Sequence, residues 1–370
     1  MSLSSGHEAQ QLSLVLPFTK NLLYDPSPLY PTLYNTFVQA VDIASFTVIF
    51  TSPGIEELYD VLQLDARRHW SDFQSFLGKV YATLGAAQWR SRKVLLPVDV
   101  LFARSDLLLE QLVNAEGSIL VADGVLPDSS PLLTSPRTTR LQLSIPSSTG
   151  DSSFGVDSNV EIRPPPPPVV ALGGTFDHLH PAHKLLLQSS LFLATRKLII
   201  GITAPSLLVN KSNAALVESL EVRTRNVEEF LRRCGAKIHL RAKEINDPLG
   251  PTAWDEDIQA LVVSRETVAG GEMVNAKRRE NGLGQLELFI VDVIAGPSHL
   301  SGPAPTEDAE EGVGIEKTPR EGVEGEKEWE EWVKDLSKVV DENQLKQLKM
   351  SSTTVRQWIA DLQVEGDWKR

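Results

Sequence analysis

From residue 169 onward, short apolar runs alternate with longer stretches of helical spacing. The runs are VVAL (169–172), KLIIGIT (197–203), KIHLRAKEI (237–245), ALVVS (260–264) and LELFIVDVI (286–294). Strands buried on both faces read as continuous apolar runs, and a helix between two of them makes the pair parallel. Right-handed crossovers then predict a doubly wound α/β sheet of Rossmann-like form, with ligands beyond the carboxyl ends of its strands. Residues 1–150 predict an N-terminal α/β domain of their own. There FTVIFTS (46–52), KVLLPVDVLFA (93–103) and SILVADG (118–124) read as buried strands, with helical spacing over 55–64 and 70–84. No catalytic constellation is visible in that half, and a structural or partner-binding role is the reading it supports.

Two breaks in composition divide the chain. Residues 144–168 are rich in Ser, Gly and Pro and end in five consecutive prolines. Proline lacks the N–H that helices and sheet ladders need, so such a run makes an extended spacer, and 151–168 reads as a linker. Residues 306–332 hold eleven Asp/Glu against three Lys/Arg. That is the composition of a solvated, disordered insertion, at about 301–330 within a domain 169–370. The run carries eight of the thirteen excess negative charges, which leaves the folded part far closer to neutral. A net charge of −13 offers no basic excess to neutralise phosphates, and so excludes general nucleic-acid binding. The single cysteine, Cys234, leaves no disulfide framework and no cysteine-rich zinc site, and fits a reducing compartment. No stretch reaches the roughly 18 continuous apolar residues of a membrane span. The first residues lack the apolar core of a secretory signal. A soluble protein of the cytoplasm, with the nucleus as a second compartment, is expected.

Chemistry concentrates in two stretches. In ALGGTFDHLHPAHKLLLQSS (171–190) the first apolar run meets Gly173-Gly174, followed by three of the chain's seven histidines, His178, His180 and His183. Paired glycines let the backbone turn sharply and let a ligand approach it. Pro181 is favoured at the first helical position, and the free N–H groups and dipole of that helix form an anion site. His180 then precedes the helix and His183 lies in its first turn, so both imidazoles face one anion. A zinc site on the same histidines needs a further ligand that the sequence does not offer. In MSSTTVRQWI (350–359), Ser351 or Ser352 caps a helix, leaving hydroxyls and N–H groups for phosphate oxygens, with Arg356 on the first turn. Taken alone, this second stretch reads equally well as an ordinary helix start.

Together the two stretches carry a resemblance. Residues 169–362 resemble the nucleotidyltransferase superfamily, whose His-x-Gly-His motif is His180-Pro181-Ala182-His183 here, and whose Ile-Ser-Ser-Thr-x-x-Arg motif runs from Met350 to Arg356. The blocks GGTFDHLHPAHKLLL, INDPLGPT (245–252) and VVSRETVAGGEMVNAKRRENGL (262–283) are similar to the eukaryotic phosphopantetheine adenylyltransferases. Ala182 replaces a glycine, Met350 an isoleucine, and His178 stands where many relatives carry arginine. No Gly-x-x-x-x-Gly-Lys-Ser/Thr loop occurs, so the resemblance points to the monofunctional form found in fungi rather than a fusion with a kinase.

The resemblance implies transfer of AMP from ATP to 4′-phosphopantetheine, giving dephospho-coenzyme A and pyrophosphate by in-line attack with no covalent intermediate. A phosphate nucleophile is already anionic near neutral pH, so alignment and charge neutralisation are what the reaction needs. His183, Lys211 and His180 are the implied catalytic groups. Gly173, Gly174, Thr175, Phe176, Arg278, Ser351, Ser352, Thr353 and Arg356 are implied, with the two histidines, on ATP. Arg279 is an open alternative to Arg278. Thr175, Lys211 and Asp247 are implied on the acceptor, though Asp247 reads equally well as a plain turn. Magnesium arrives with ATP rather than in a protein cage, and a coenzyme A-synthesising protein complex is a conceivable partner. Two alternatives stay open: a sister nucleotidyltransferase acting on nicotinamide mononucleotide or phosphocholine, and a non-catalytic nucleotide-binding scaffold subunit.

Overall fold

The structure, a computed structural model, describes residues 10–52, 57–103, 106–114, 116–143, 164–292 and 351–365. The acidic insertion, Met350 and most of the expected linker lie outside the described residues. The first half runs β1 (Gln10–Pro17), α1 (Lys20–Tyr24), α2 (Tyr30–Gln39), β2 (Ile43–Thr51), α3 (Leu58–Leu64), α4 (Ala66–Arg90), β3 (Val98–Phe102), α5 (Asp106–Asn114), β4 (Ser118–Ala122), α6 (Pro131–Thr134) and β5 (Thr138–Leu141). The second runs β6 (Val169–Gly174), α7 (Pro181–Leu193), β7 (Lys197–Thr203), α8 (Leu220–Arg233), β8 (His239–Ile245), β9 (Ala260–Ser264), α9 (Val268–Glu280), β10 (Glu287–Val291) and α10 (Ser352–Glu365).

Each half builds one parallel five-stranded sheet, ordered β3-β2-β1-β4-β5 and β8-β7-β6-β9-β10. The two orders are the same. In each, the first strand lies at the centre and the chain winds outward in both directions, so the strand order reverses beside it. The five apolar runs of the second half all form strands. One reads differently in space than in sequence: β8 is an edge strand whose residues alternate between exposed and half-buried. KIHLRAKEI is therefore a half-solvated strand, and its basic residues need no partner. In the first half β1 has no counterpart among the expected strands. Two polar residues, Gln10 and Gln11, open it and mask a run, Leu14 to Leu16, that is fully buried at the centre of the sheet.

Helix α4 places apolar residues at three- and four-residue steps: Trp70, Phe73, Phe76, Leu77, Val80, Tyr81 and Leu84 are all buried. That stripe faces both sheets. Phe73 stacks on Phe192 of α7 with ring centroids 4.1 Å apart, and Tyr59 of α3 meets the same ring edge-on at 5.6 Å. Fully burying each such ring stabilises the fold by about 1.5–3 kcal/mol. One continuous buried cluster accordingly takes in residues from both halves. A smaller one, with Val169, Ile199, Leu261 and Val274, covers the other face of the second sheet. The break in composition at the prolines is not matched by a break in packing.

Candidate active site

The site is built where β6 ends. A Cβ on Gly174 would stand 3.1 Å from the ring of Phe176, so the glycine is what lets that ring fold back under the strand. Phe176 and His178 both adopt left-handed backbone (φ 52° and 47°), an uncommon conformation for residues with side chains. Burial of Phe176 and its neighbour Asp177 holds the turn in place. Asp177 is 0% exposed: its Oδ1 accepts the Glu218 N–H at 2.9 Å, and its Oδ2 accepts Nη1 of Arg356 at 2.7 Å. Arg223, on α8, donates from Nη1 to the carbonyls of Thr175 (2.7 Å) and Thr203 (2.9 Å), and from Nε to that of Glu218 (3.0 Å). Burial pushes its pKa down, and the carboxylates of Asp177 and Glu218 oppose the shift. Asp177 and Arg223 together fix the turn against the loops that follow β7.

That turn delivers His180 to the start of α7 in extended conformation, one residue before Pro181. The rings of His180 and His183 stack, with centroids 3.8 Å apart and planes 24° from parallel, and Phe176 lies 5.3 Å from His183. Helix α10 arrives from the far end of the sequence. Its cap is Ser351, whose Oγ accepts the Thr354 N–H at 3.2 Å. Ser352 is thereby left to face α7, and its Oγ lies 3.3 Å from Nε2 of His180. Two helix N-termini, two imidazoles and a cluster of hydroxyls thus meet at the carboxyl end of β6. Free N–H groups and aligned dipoles at both helix starts make this a place for a polyanion.

The other residues implied for the site fall differently. Gly173, Gly174 and Thr175 line the exit of β6. Lys211 is exposed in the loop between β7 and α8. Asp247, after β8, uses Oδ1 to accept the N–H groups of Leu249 (3.0 Å) and Gly250 (2.7 Å), which makes it the residue of a local turn. Two arginines implied on phosphate are already held by the protein itself. Arg278, expected on phosphate, is 2% exposed and donates to the carbonyls of Gly284 (2.6 Å), Thr252 (2.8 Å) and Asp255 (2.9 Å). It ties the end of α9 to the loop before β9. Arg279, its alternative, points to solvent and bonds Gln285. Arg356, expected to clamp phosphates alongside Thr353, is turned inward: besides Asp177 it holds the Ser212 carbonyl (2.9 Å) and Thr353 Oγ1 (3.3 Å). Its guanidinium anchors α10 to the turn below.

Asp177, His178 and Glu218 bring ligand-type atoms within 4.8 Å of one another. Their atoms are engaged locally. The His178 N–H donates to Glu218 Oε2 at 2.7 Å, its ring Nε2 donates to the Leu216 carbonyl at 2.9 Å, and Asp177 is held as described. The trio reads as a closed hydrogen-bond network that shapes the turn. His178 belongs to this network through both its backbone N–H and its ring Nε2.

Residues 171–357, just over half of the chain, match the family model described as cytidylyltransferase-like. A phosphopantetheine adenylyltransferase of Saccharomyces cerevisiae is 43% identical over 128 residues, which are 35% of this chain and 42% of that protein. The match thus spans less than half the length of this relative. A phosphopantetheine adenylyltransferase of Methanothermobacter thermautotrophicus is 36% identical over 126 residues, 34% of this chain and 74% of its own length. One of Pyrococcus abyssi is 36% identical over 125 residues, covering 34% of this chain and 78% of that one.

Proposed function

Because this chain belongs to the cytidylyltransferase-like family, we propose that it is a nucleotidyltransferase acting on 4′-phosphopantetheine. A terminal phosphate oxygen of the acceptor forms a bond to the α-phosphorus of ATP. The bond from that phosphorus to the α,β-bridging oxygen breaks, and pyrophosphate leaves with the electron pair. The products are dephospho-coenzyme A and pyrophosphate. No proton has to be taken from a phosphate dianion, so the residues need only align the reactants and neutralise charge.

The stacked imidazoles of His180 and His183, with the N-terminus of α7, stand over the α-phosphate. Ser352, Thr353 and the first N–H groups of α10 take the β- and γ-phosphates. Thr175 and the bare backbone of Gly173 and Gly174 leave room for the acceptor phosphate, and Lys211 reaches both substrates from its exposed loop. Arg356 and Arg278 act from behind, as anchors. Magnesium enters as part of the ATP substrate. The same reading carries a location in the cytoplasm or nucleus and a place beside other enzymes of coenzyme A synthesis. Among the described residues no helix is long and apolar enough to cross a membrane.

The observation that supports this most is the approach of His180 and Ser352, 172 positions apart in sequence, to 3.3 Å. Acceptor choice is tested by incubating the protein with ATP and magnesium and offering 4′-phosphopantetheine, nicotinamide mononucleotide and phosphocholine in turn. Pyrophosphate is expected with the first alone. Release with another acceptor removes the specific assignment, and release with none removes the enzyme.

A further inference from the structure

The first half of the chain touches both helices that form the site. On α7, Lys184 follows His183 directly and is buried. Its Nζ donates to Asp99 Oδ1 and to the Val98 carbonyl, both on β3 and both at 2.7 Å. Asp99 receives Arg233, from the end of α8, on its other oxygen at 2.8 Å. One turn further along α7, Gln188 donates to the Val100 carbonyl at 2.6 Å and accepts from the Tyr81 hydroxyl of α4 at 2.7 Å. A cation buried near the start of a helix opposes the helix dipole, so Lys184 is not there for the helix's own sake. Its position makes sense as a tether to β3.

Helix α10 meets the same body. Trp358 packs edge-on against Trp89 near the end of α4, with ring centroids 5.3 Å apart and planes at 88°. The guanidinium of Arg92, just beyond α4, sits 5.9 Å over the Trp358 ring. Tyr81 and Trp89 are eight residues apart on one rigid helix, about 12 Å along its axis at 1.5 Å per residue. One helix therefore contacts α7 at one point and α10 at another.

We propose that β3 and α4 act as a brace that sets the spacing between the N-termini of α7 and α10, and with it the affinity for the triphosphate. Asp99, Trp89 and Trp358 are positioning residues in this scheme. It rests on the reading that α10 grips the outer phosphates of ATP, and it gives the described residues of the first half a task in catalysis. Loosening the brace at Trp89 releases α10, whose hydroxyls serve ATP, and leaves the acceptor side untouched.

The test is calorimetric binding of magnesium-ATP and of 4′-phosphopantetheine to the full chain. Trp89→Ala is expected to weaken ATP about fivefold, the scale of one lost aromatic pair. The acceptor should stay within about twofold, and Trp89→Phe should restore ATP binding. Trp358→Ala should cost the same as Trp89→Ala, and the double variant no more than either alone. Both tryptophans are half-buried. If Trp89→Ala does not fold, Trp358→Ala decides, with about a threefold loss as the dividing line. The proposal is overturned by a smaller loss, by fully additive losses, or by an equal loss for both ligands. A wild-type chain that binds no ATP refutes the reading of the site instead. One that binds ATP and makes pyrophosphate with another acceptor but not with 4′-phosphopantetheine refutes only the acceptor.

Discussion

His183 occupies the first turn of α7 with its ring stacked on His180 and tilted against Phe176. Such a ring is pre-placed, so it can meet developing charge on a transferring phosphoryl group without reorganising. His183→Ala is expected to lower kcat by about 10²-fold, the scale of one lost transition-state donor, while circular dichroism shows an unchanged fold. A fall of only a few-fold would assign the ring a packing role. At this scale the sequence is legible where a residue's task depends on its near neighbours. The glycine pair, the two histidines at a helix start and the Ser-Ser-Thr cap all sit where their spacing says. It is misleading where the task depends on what lies across the fold. Arg278 and Arg356 look like phosphate ligands in a string of letters, yet one closes on three carbonyls and the other on a buried carboxylate. Asp177 and Arg223 gave no signal, because nothing local marks a charge whose partners come from other loops.

Among the elements, β3 and α7 carry the clearest electrostatic link. Burial alone would push the Asp99 pKa up, but Lys184 and Arg233 outweigh it and hold the carboxyl below its ordinary value. A carboxylate depressed in the folded state adds stability above its unfolded pKa, near 4, and loses it as the pH falls through the folded value. Asp99→Asn also strands Lys184, and breaking such a buried pair costs about 3–5 kcal/mol. Urea unfolding at pH 7 should show a loss of that order, with the gap between variant and wild type narrowing below about pH 4. A gap that is absent at pH 7, or that does not narrow in acid, would place the pair outside the stability of the fold. Most elements are visible from periodicity, since parallel strands buried on both faces leave continuous apolar runs. Strands β1 and β5 are the exceptions: polar first residues break the pattern in β1, and β5 is a short polar edge strand, while Pro97 shortens the apolar stretch 93–103 to the five residues of β3.

Across the molecule, the two sheets share a strand order but not a chemistry. Strand β6 ends in two glycines and leads to a histidine pair. Beyond β1 lies Phe18, packed among Phe50, Phe76 and Phe102 at 5.0–6.0 Å, so the matching end of the first sheet is filled with aromatic rings. Topology sets where a site can form, and side chains decide whether one does. Neither the repeated order nor the shared core could be read from the sequence. Both depend on which faces of α4 and α7 meet, and periodicity gives a buried stripe without naming what it packs against. What the sequence does convey is that two distant segments should converge, and the central claim is that they converge on one triphosphate. The most direct measurement compares the affinities of magnesium-ATP and AMP for the wild-type chain and for Ser352→Ala. Since AMP lacks the outer phosphates, Ser352→Ala should weaken ATP about tenfold, the scale of one charge-assisted hydrogen bond, and leave AMP unchanged. Equal losses for the two nucleotides, or no loss for either, would contradict it.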